Sequence, residues 1–172
     1  MSDAVIGAHR KAALWLAGSI VVLDQLIKYV VTYVLELKER GLSGIELLPF
    51  FNLTWAENRG ISMGFLHAET DLMRWALVLM TIAISGFVLW WLWREKARED
   101  ALALGLVLGG AIGNIIDRAR LGYVIDYADL HIGEWRPFLI FNLADASISI
   151  GVFILLARAL LLREKTAAKE SR

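Results

Sequence analysis

The sequence contains no cysteine and only three histidines. The absence of cysteine excludes disulfide bonds, a thiol nucleophile and a thiolate metal site. His9, His67 and His131 are far apart in the sequence, and none belongs to a paired ligand motif such as HExxH. We therefore expect neither a zinc site nor any other cofactor.

An excess of charge of one sign is also missing. The 18 lysines and arginines balance the 18 aspartates and glutamates, so the formal net charge is zero. A nucleic-acid-binding protein usually carries a broad basic surface, and we expect no nucleic-acid partner. No proline- or serine-rich linker divides the 172 residues, which predicts a single domain over residues 1–172.

Apolar residues, in contrast, are abundant. They make up 58% of the chain, whereas soluble domains contain roughly 45–50%. A membrane helix needs about 20 apolar residues, and four segments approach or exceed that length, over residues of about 12–35, 72–93, 101–118 and 141–162. The sequence predicts an all-α membrane protein with a four-transmembrane-helix bundle.

The distribution of basic residues predicts how the spans are oriented. Cytoplasmic segments are enriched in lysine and arginine near the span ends. Such residues precede the first span, fill the short loop after the second and follow the fourth: Arg10, Lys11, Arg94, Lys96, Arg98, Arg163 and Lys165. Both termini are therefore expected in the cytoplasm, with the two long loops outside. Asp24 and Lys28 interrupt the first span and no small-x-small site follows it, so we expect an uncleaved helix.

The first long loop is not simply polar. Residues 47–55 are rich in aromatic and β-favouring side chains, which predicts one or two short strands in a small β-containing extracytoplasmic region. These strands could cradle a lipid-bearing substrate or could merely pack on the helix ends. Gly60 and Gly64 are predicted to let the loop move over a site.

Several polar residues lie where the helices should be apolar. An ionisable residue inside a span costs roughly 2.5–3.5 kcal/mol on insertion scales, so such residues usually face the bundle interior and pair there. Helical spacing places each of three groups on one face: Asp24 with Lys28; Asn114 with Asp117 and Arg118; Asn142 with Asp145 and Ser149. The topology brings all three to the outer half of the bundle.

Each polar group also has a structural interpretation. Asp24 and Lys28 could form a buried ion pair only, and Arg118 could extend to the interface with Asp117 as its partner. The glycines at 105, 109 and 113 favour close helix packing rather than ligand binding. Polar groups alone would suit a small transporter with an intramembrane charge relay, or a non-catalytic lipid-binding or assembly factor, as well as an enzyme.

Two carboxylates at span boundaries favour an enzyme. Asp126 precedes the fourth span and Asp145 lies at its start. Hydrolysis of an amide by two carboxyl groups requires one ionised group to activate water and one protonated group to donate to the carbonyl oxygen. Two such groups about 3 Å apart cannot both ionise, so their pKa values separate and supply both roles.

Five motifs in order extend this interpretation. They are Asp24–Lys28 (DQLIK), Asn58–Ser62 (NRGIS), Gly109–Arg118 (GGAIGNIIDR), Val124–Tyr127 (VIDY) and Phe141–Asp145 (FNLAD). Over residues ~20–150 the chain closely resembles the bacterial lipoprotein signal peptidase (signal peptidase II) family. Met63 and Tyr127 each occupy a position where that family often has phenylalanine. Because both residues keep an apolar body, we expect an altered fit rather than lost activity.

The resemblance implies a metal-independent aspartic endopeptidase of the bacterial inner membrane, with its active site near the outer face. It implies cleavage of prolipoproteins just before a cysteine that carries a diacylglyceryl group, with membrane lipid as a further partner and the enzyme acting as a monomer. Asp126 and Asp145 would be the catalytic pair. The implied substrate-binding or site-ordering residues are Asp24, Lys28, Asn58, Gly60, Asn114, Asp117, Arg118, Asn142 and Ala144.

A pair made of Asp117 and Asp145 is the rival assignment. Asp117 belongs to a strong motif and lies only nine residues before Asp126. We favour Asp126 because a neighbouring cation, Arg118, would hold Asp117 ionised, whereas a general acid must be able to carry a proton.

Overall fold

The structure is a computed structural model that describes residues 2–60, 71–133 and 135–170, without the side chains of Leu42 and residues 162–170. The predictions for Met63 and Gly64 lie outside these residues. The described chain forms four long helices, α1 (Asp3–Tyr29), α2 (Asp71–Arg94), α3 (Arg98–Leu121) and α4 (Leu143–Glu170). It also forms three strands, β1 (Ile45–Leu48), β2 (Phe51–Asn58) and β3 (Val124–Leu130).

All four helices are long and apolar enough to cross a membrane, as predicted. α1 begins at Asp3 rather than near residue 12, and it continues through a π-helical turn at Val30–Val34. α3 likewise extends beyond both predicted ends. Hydropathy marks only the apolar part of a helix, whereas backbone hydrogen bonding continues into the polar flanks, so the apolar run is shorter than the helix.

α3 is the most buried span and lies at the centre of the bundle, between α1 and α4. Its glycines allow this close approach. A Cβ atom on Gly105 would lie 2.6 Å from the Ala13 carbonyl oxygen, and one on Gly110 would lie 2.3 Å from the Ala144 carbonyl oxygen. The interpretation of the glycine stripe as a helix-packing surface is confirmed.

The strands form one antiparallel sheet in the order β1-β2-β3 at one end of the bundle. The expected β region in the first long loop is confirmed, but the prediction of one or two strands was incomplete because β3 comes from the second long loop. Val31 and Leu37, which follow α1, pack against Ile125, Tyr127 and Ala128 of β3. The sheet therefore packs on the helix ends, and β3 carries Asp126 into the bundle.

Candidate active site

Two asparagines connect Asp126 on β3 with Asp145 on α4. The Asn142 amide donates to Asp126 Oδ1 at 2.6 Å and to Asn114 Oδ1 at 3.3 Å. The Asn114 amide donates in turn to Asp145 Oδ1 at 2.7 Å. Asp126 is almost completely buried, whereas Asp145 is half-buried. The structure thus brings the two carboxylates to one polar network, in which Asp145 is the more accessible group.

The start of α4 is fixed by three side chains. The first N–H groups of a helix have no partner within the helix and need capping. Asn142 is the capping residue, and its Oδ1 accepts from the Asp145 N–H at 2.8 Å. The Leu143 N–H donates to the Tyr127 hydroxyl at 3.2 Å, and the Ala144 N–H donates to Asp24 Oδ1 at 3.1 Å. These bonds fix Asp145 relative to α1 and β3.

Asp126 lies opposite a small residue and beside a polar one. On β2, Ala56 is its direct partner, and Asn58 is its diagonal neighbour on the same face of the sheet. From this position the Asn58 side chain interacts with the Asp126 carboxylate and favours its ionised form. Burial, and secondly the charge of Asp145, raise the pKa of Asp126 to about 6, against the opposing effects of the Asn58 side chain and of the Asn142 hydrogen bond.

Asp24, Lys28 and Asp117 form a buried ionic cluster beside this network. The Lys28 ammonium lies 2.8 Å from Asp24 Oδ2 and 2.8 Å from Asp117 Oδ2. Gln25 donates to Asp117 Oδ1 at 2.9 Å, and the Ile125 N–H donates to Asp117 Oδ2 at 3.2 Å. The predicted Asp24–Lys28 pair is confirmed, and Asp117 links the end of α3 to β3.

The ion pair of Asp117 is with Lys28 and not with Arg118, the partner that one interpretation of the sequence suggested. Adjacent residues of a helix point in different directions, and the Asp117 carboxylate turns toward Lys28 on α1. The strongest electrostatic interactions of Arg118 are instead with Asp145 and then Asp126. Its Nε atom is buried and has no hydrogen-bond partner among the described residues. Arg118 is thus within electrostatic range of both candidate carboxylates, and Lys28 also acts on Asp126.

Gly60 and Ala144 have identifiable steric roles. Gly60 has a φ of 97°, and a Cβ atom there would lie 2.6 Å from Leu77 Cδ1 on α2. Its N–H donates to Asn58 Oδ1 at 3.0 Å, which helps to orient the Asn58 amide. Ala144 is fully buried against α3. Movement of the loop at Gly60 stays a prediction.

An apolar cavity of about 280 Å³ opens beside Asp145. Leu130 and Phe141 line it together with Phe138 and Leu139, which are largely exposed on the segment before α4. Ile150 and Ser149 continue it along α4. The Asp145 carboxylate therefore lies at the edge of an apolar surface on the outside of the helix bundle.

Sequence reasoning missed two residues of this region. Gln25 bonds both Asp24 and Asp117, and Tyr127 accepts a hydrogen bond at the start of α4. Gln25 is part of the DQLIK motif, so its place next to Asp24 was a usable signal. The phenol of Tyr127 had no such signal, because its partner is a backbone group 16 residues away.

Comparisons with known proteins agree on one family. The family model described as Signal peptidase (SPase) II matches residues 16–161. A lipoprotein signal peptidase from Rhizorhabdus wittichii is 54% identical over 163 residues, which cover 95% of this chain and 94% of the relative. One from Sphingopyxis alaskensis is 55% identical over 150 residues, covering 87% and 86%.

Solved structures show the same fold. A bacterial membrane enzyme determined by the in meso method at 2.3 Å matches with a TM-score of 0.74 and 27% identity, covering 94% of this chain and 93% of that one. A second, at 1.9 Å, matches with a TM-score of 0.75 and 28% identity over 87% of this chain and 93% of that one.

Proposed function

The chain belongs to the signal peptidase II family, and on that premise we propose that Asp126 and Asp145 are its catalytic pair. The protein is a multi-pass peptidase of the bacterial inner membrane that removes signal peptides from prolipoproteins. The observation that carries the residue assignment is the chain of amides from Asn142 to Asn114, which joins these two carboxylates.

In this mechanism the pair holds one proton. The ionised carboxylate takes a proton from a water molecule, whose oxygen attacks the carbonyl carbon of the scissile bond. The protonated carboxyl group donates to the carbonyl oxygen. When the resulting tetrahedral intermediate collapses, the C–N bond breaks and the leaving nitrogen takes up a proton from the pair. The Asn142 and Asn114 amides hold the carboxylates in place, and Arg118 stabilises the negative charge.

The ionic cluster excludes Asp117 from this role in the proposal. Both of its oxygens are occupied: Oδ1 by Gln25, and Oδ2 by Lys28 and the Ile125 N–H. A carboxylate that is held by a cation and two N–H donors is poorly suited to donate a proton. Asp24, Lys28 and Asp117 then act as the scaffold that fixes β3 and α4 against α1.

We place the active site near the outer face, with both termini in the cytoplasm. Basic residues flank the helix ends opposite the sheet, where Arg10 donates to the Trp93 carbonyl and Arg94 stacks on the Trp90 ring at 4.5 Å. Such an arrangement is typical of the cytoplasmic interface. The chain acts as one domain over residues 1–172 and as a monomer, since one copy supplies every proposed site residue.

The apolar cavity beside Asp145 suits a lipid-bearing substrate. We propose that the signal helix and the diacylglyceryl chains approach through the bilayer along Phe138, Leu139 and Ile150. The scissile bond just before the modified cysteine then meets Asp145 first and Asp126 behind it. This arrangement favours a peptidase over the alternative of a small transporter, because the two carboxylates meet at a lipid-facing surface and not along a polar path through the bundle.

Purified protein should cleave a diacylglyceryl-modified prolipoprotein immediately before the modified cysteine, as read by mass spectrometry of the product. The matched control is the same prolipoprotein without the lipid, which should remain intact. Equal cleavage of both substrates would contradict the proposed lipid requirement. Failure of the folded protein to cleave either would contradict the proposed peptidase activity.

The pH dependence of kcat/KM should show where the catalytic pair loses its shared proton. Because the pKa of Asp126 is raised to about 6, kcat/KM should fall as the pH rises above that value and the pair loses its proton. The interaction of the Asn58 side chain with Asp126 favours the ionised form and lowers this pKa. Asn58→Ala should therefore move the alkaline limb to higher pH.

Glu57→Gln is the matched control for that shift, since Glu57 is the neighbouring residue on β2 and bonds Lys38 and Arg59 instead. Its alkaline limb should coincide with that of the wild type. A limb that stays in place in Asn58→Ala would show that Asp126 does not set it.

A further inference from the structure

A second cavity, of about 240 Å³, lies on the other side of the ionic cluster from the candidate catalytic pair. It is enclosed by the end of α1, the end of α3 and the sheet. Lys28 and Asp117 form part of its lining, but Asp126 and Asp145 do not. The cavity is therefore separate from the apolar cavity beside Asp145.

Among the described residues that line this cavity, the mouth has two basic side chains, Lys38 and Arg120, and no acidic one. Lys38 lines the mouth and lies 3.0 Å from Glu57, which also binds Arg59 at 2.8 Å. Arg120 also lines the cavity, is exposed, and has no ion-pair partner among the described residues. At the base of the cavity, the ionic cluster contains two carboxylates, Asp24 and Asp117, and one cation, Lys28, so its formal charge is negative. An anion would accordingly be held at the mouth and repelled from the base.

The wall of the cavity contains a hydrogen-bond donor that has no acceptor in the described part of the chain. The indole Nε1 of Trp55 is buried and has no partner among the described residues. The Lys38 ammonium lies 5.8 Å from the centre of the Trp55 ring, so the donor and the cation are neighbours. A buried N–H without an acceptor is unfavourable, and an oxygen-rich anion would supply one.

The rim of the cavity faces lipid. Tyr29 and Tyr33 line it with their rings 5.0 Å apart, and both are largely exposed at the end of a membrane-spanning helix. Tyrosines are enriched at that depth, beside the lipid headgroups. One turn deeper on α1, Leu26 is also exposed and continues the apolar surface. An anion in the mouth would therefore have room for acyl chains along α1.

We propose that this cavity binds the phosphate headgroup of an anionic phospholipid, held by Arg120, Lys38 and the Trp55 indole, with its acyl chains along α1. A zwitterionic phospholipid has the same phosphate, but its added cation meets the positive mouth. The site accordingly distinguishes phosphatidylglycerol from phosphatidylcholine by net charge. It is a lipid site distinct from the one that receives the substrate.

Native mass spectrometry of the full chain in detergent, titrated with either phospholipid, tests this proposal. The wild type should retain phosphatidylglycerol more tightly than phosphatidylcholine. Arg120→Gln should weaken phosphatidylglycerol binding by about fivefold, the effect of one basic residue near an anionic lipid, and leave phosphatidylcholine binding unchanged. Trp55→Phe, which keeps a ring and removes the N–H, should weaken the binding of both lipids.

Arg94→Gln is the matched control, because Arg94 lies at the opposite end of the bundle; it should bind as the wild type does. Equal retention of the two lipids by the wild type, or unchanged binding by Arg120→Gln, would overturn the proposal. Displacement of phosphatidylglycerol by an equal concentration of soluble glycerol 1-phosphate would overturn the lipid assignment in favour of a free phosphate. Prolipoprotein cleavage is assayed separately, so either result is independent of the catalytic assignment.

Discussion

Asp126→Asn and Asp145→Asn should each lower kcat for prolipoprotein cleavage by about 10²–10⁴-fold, the usual contribution of a positioned acid or base. Asparagine has nearly the shape of aspartate and can still accept the hydrogen bond from Asn142 or Asn114. It cannot carry the shared proton. The midpoint of thermal unfolding should therefore change little. Turnover, measured as product formation under saturating substrate, should be lost.

Asp129→Asn is the matched control for Asp126. Asp129 lies on the same strand and is equally buried, but it faces the opposite side of the sheet and pairs with Arg136 at 3.1 Å. This variant should keep near-normal turnover. Loss of activity in all three variants, or retention of turnover by a folded Asp126→Asn or Asp145→Asn, would contradict the assignment.

Lys28→Met should produce the largest loss of stability, about 3–5 kcal/mol in the free energy of unfolding. Methionine keeps most of the length of the side chain and removes its charge. Asp24 and Asp117 would then be left buried without a cation, since Lys28 lies 2.8 Å from each of them. The expected readout is a large drop in the midpoint of thermal unfolding in detergent.

Lys38→Met provides the comparison. Lys38 also bridges toward a carboxylate, Glu57, but half of its side chain is exposed and Arg59 also binds that carboxylate. Exposed ion pairs contribute about 0–1 kcal/mol, so this variant should unfold close to the wild type. Similar midpoints for Lys28→Met and Lys38→Met would mean that the buried cluster is not a structural centre.

Local spacing predicted part of the site. Asp24 and Lys28 are four residues apart on one helix, so helical geometry alone places them together. The third member, Asp117, depends on how α3 packs against α1, and the sequence offered Arg118 as a nearer partner. The glycine stripe lets α3 pack closely against α1, and this packing brings Asp117 to Lys28. The spacing of residues within one helix does not predict such a contact between two helices.

The sheet was also predicted only in part from the sequence. The apolar run at 47–55 indicated strands by composition, but β3 belongs to a short segment in which Gly122, with a φ of 85°, turns the chain after α3. Pairing with β2 across more than 60 residues then gives Asp126 its neighbours Ala56 and Asn58. Motif resemblance made Asp126 a candidate, whereas its position in the structure depends on contacts that no local pattern encodes.

The measurement that tests the catalytic assignment most directly compares Asp117→Asn with Asp126→Asn in single-turnover cleavage of a diacylglyceryl-modified prolipoprotein. Asp117→Asn keeps an acceptor for Gln25 or Ile125 and leaves Lys28 paired with Asp24, so it should fold and retain measurable turnover. Asp126→Asn should fold and lose it. A folded Asp126→Asn that still cleaves, beside a folded Asp117→Asn that does not, would contradict the account and make Asp117 the partner of Asp145.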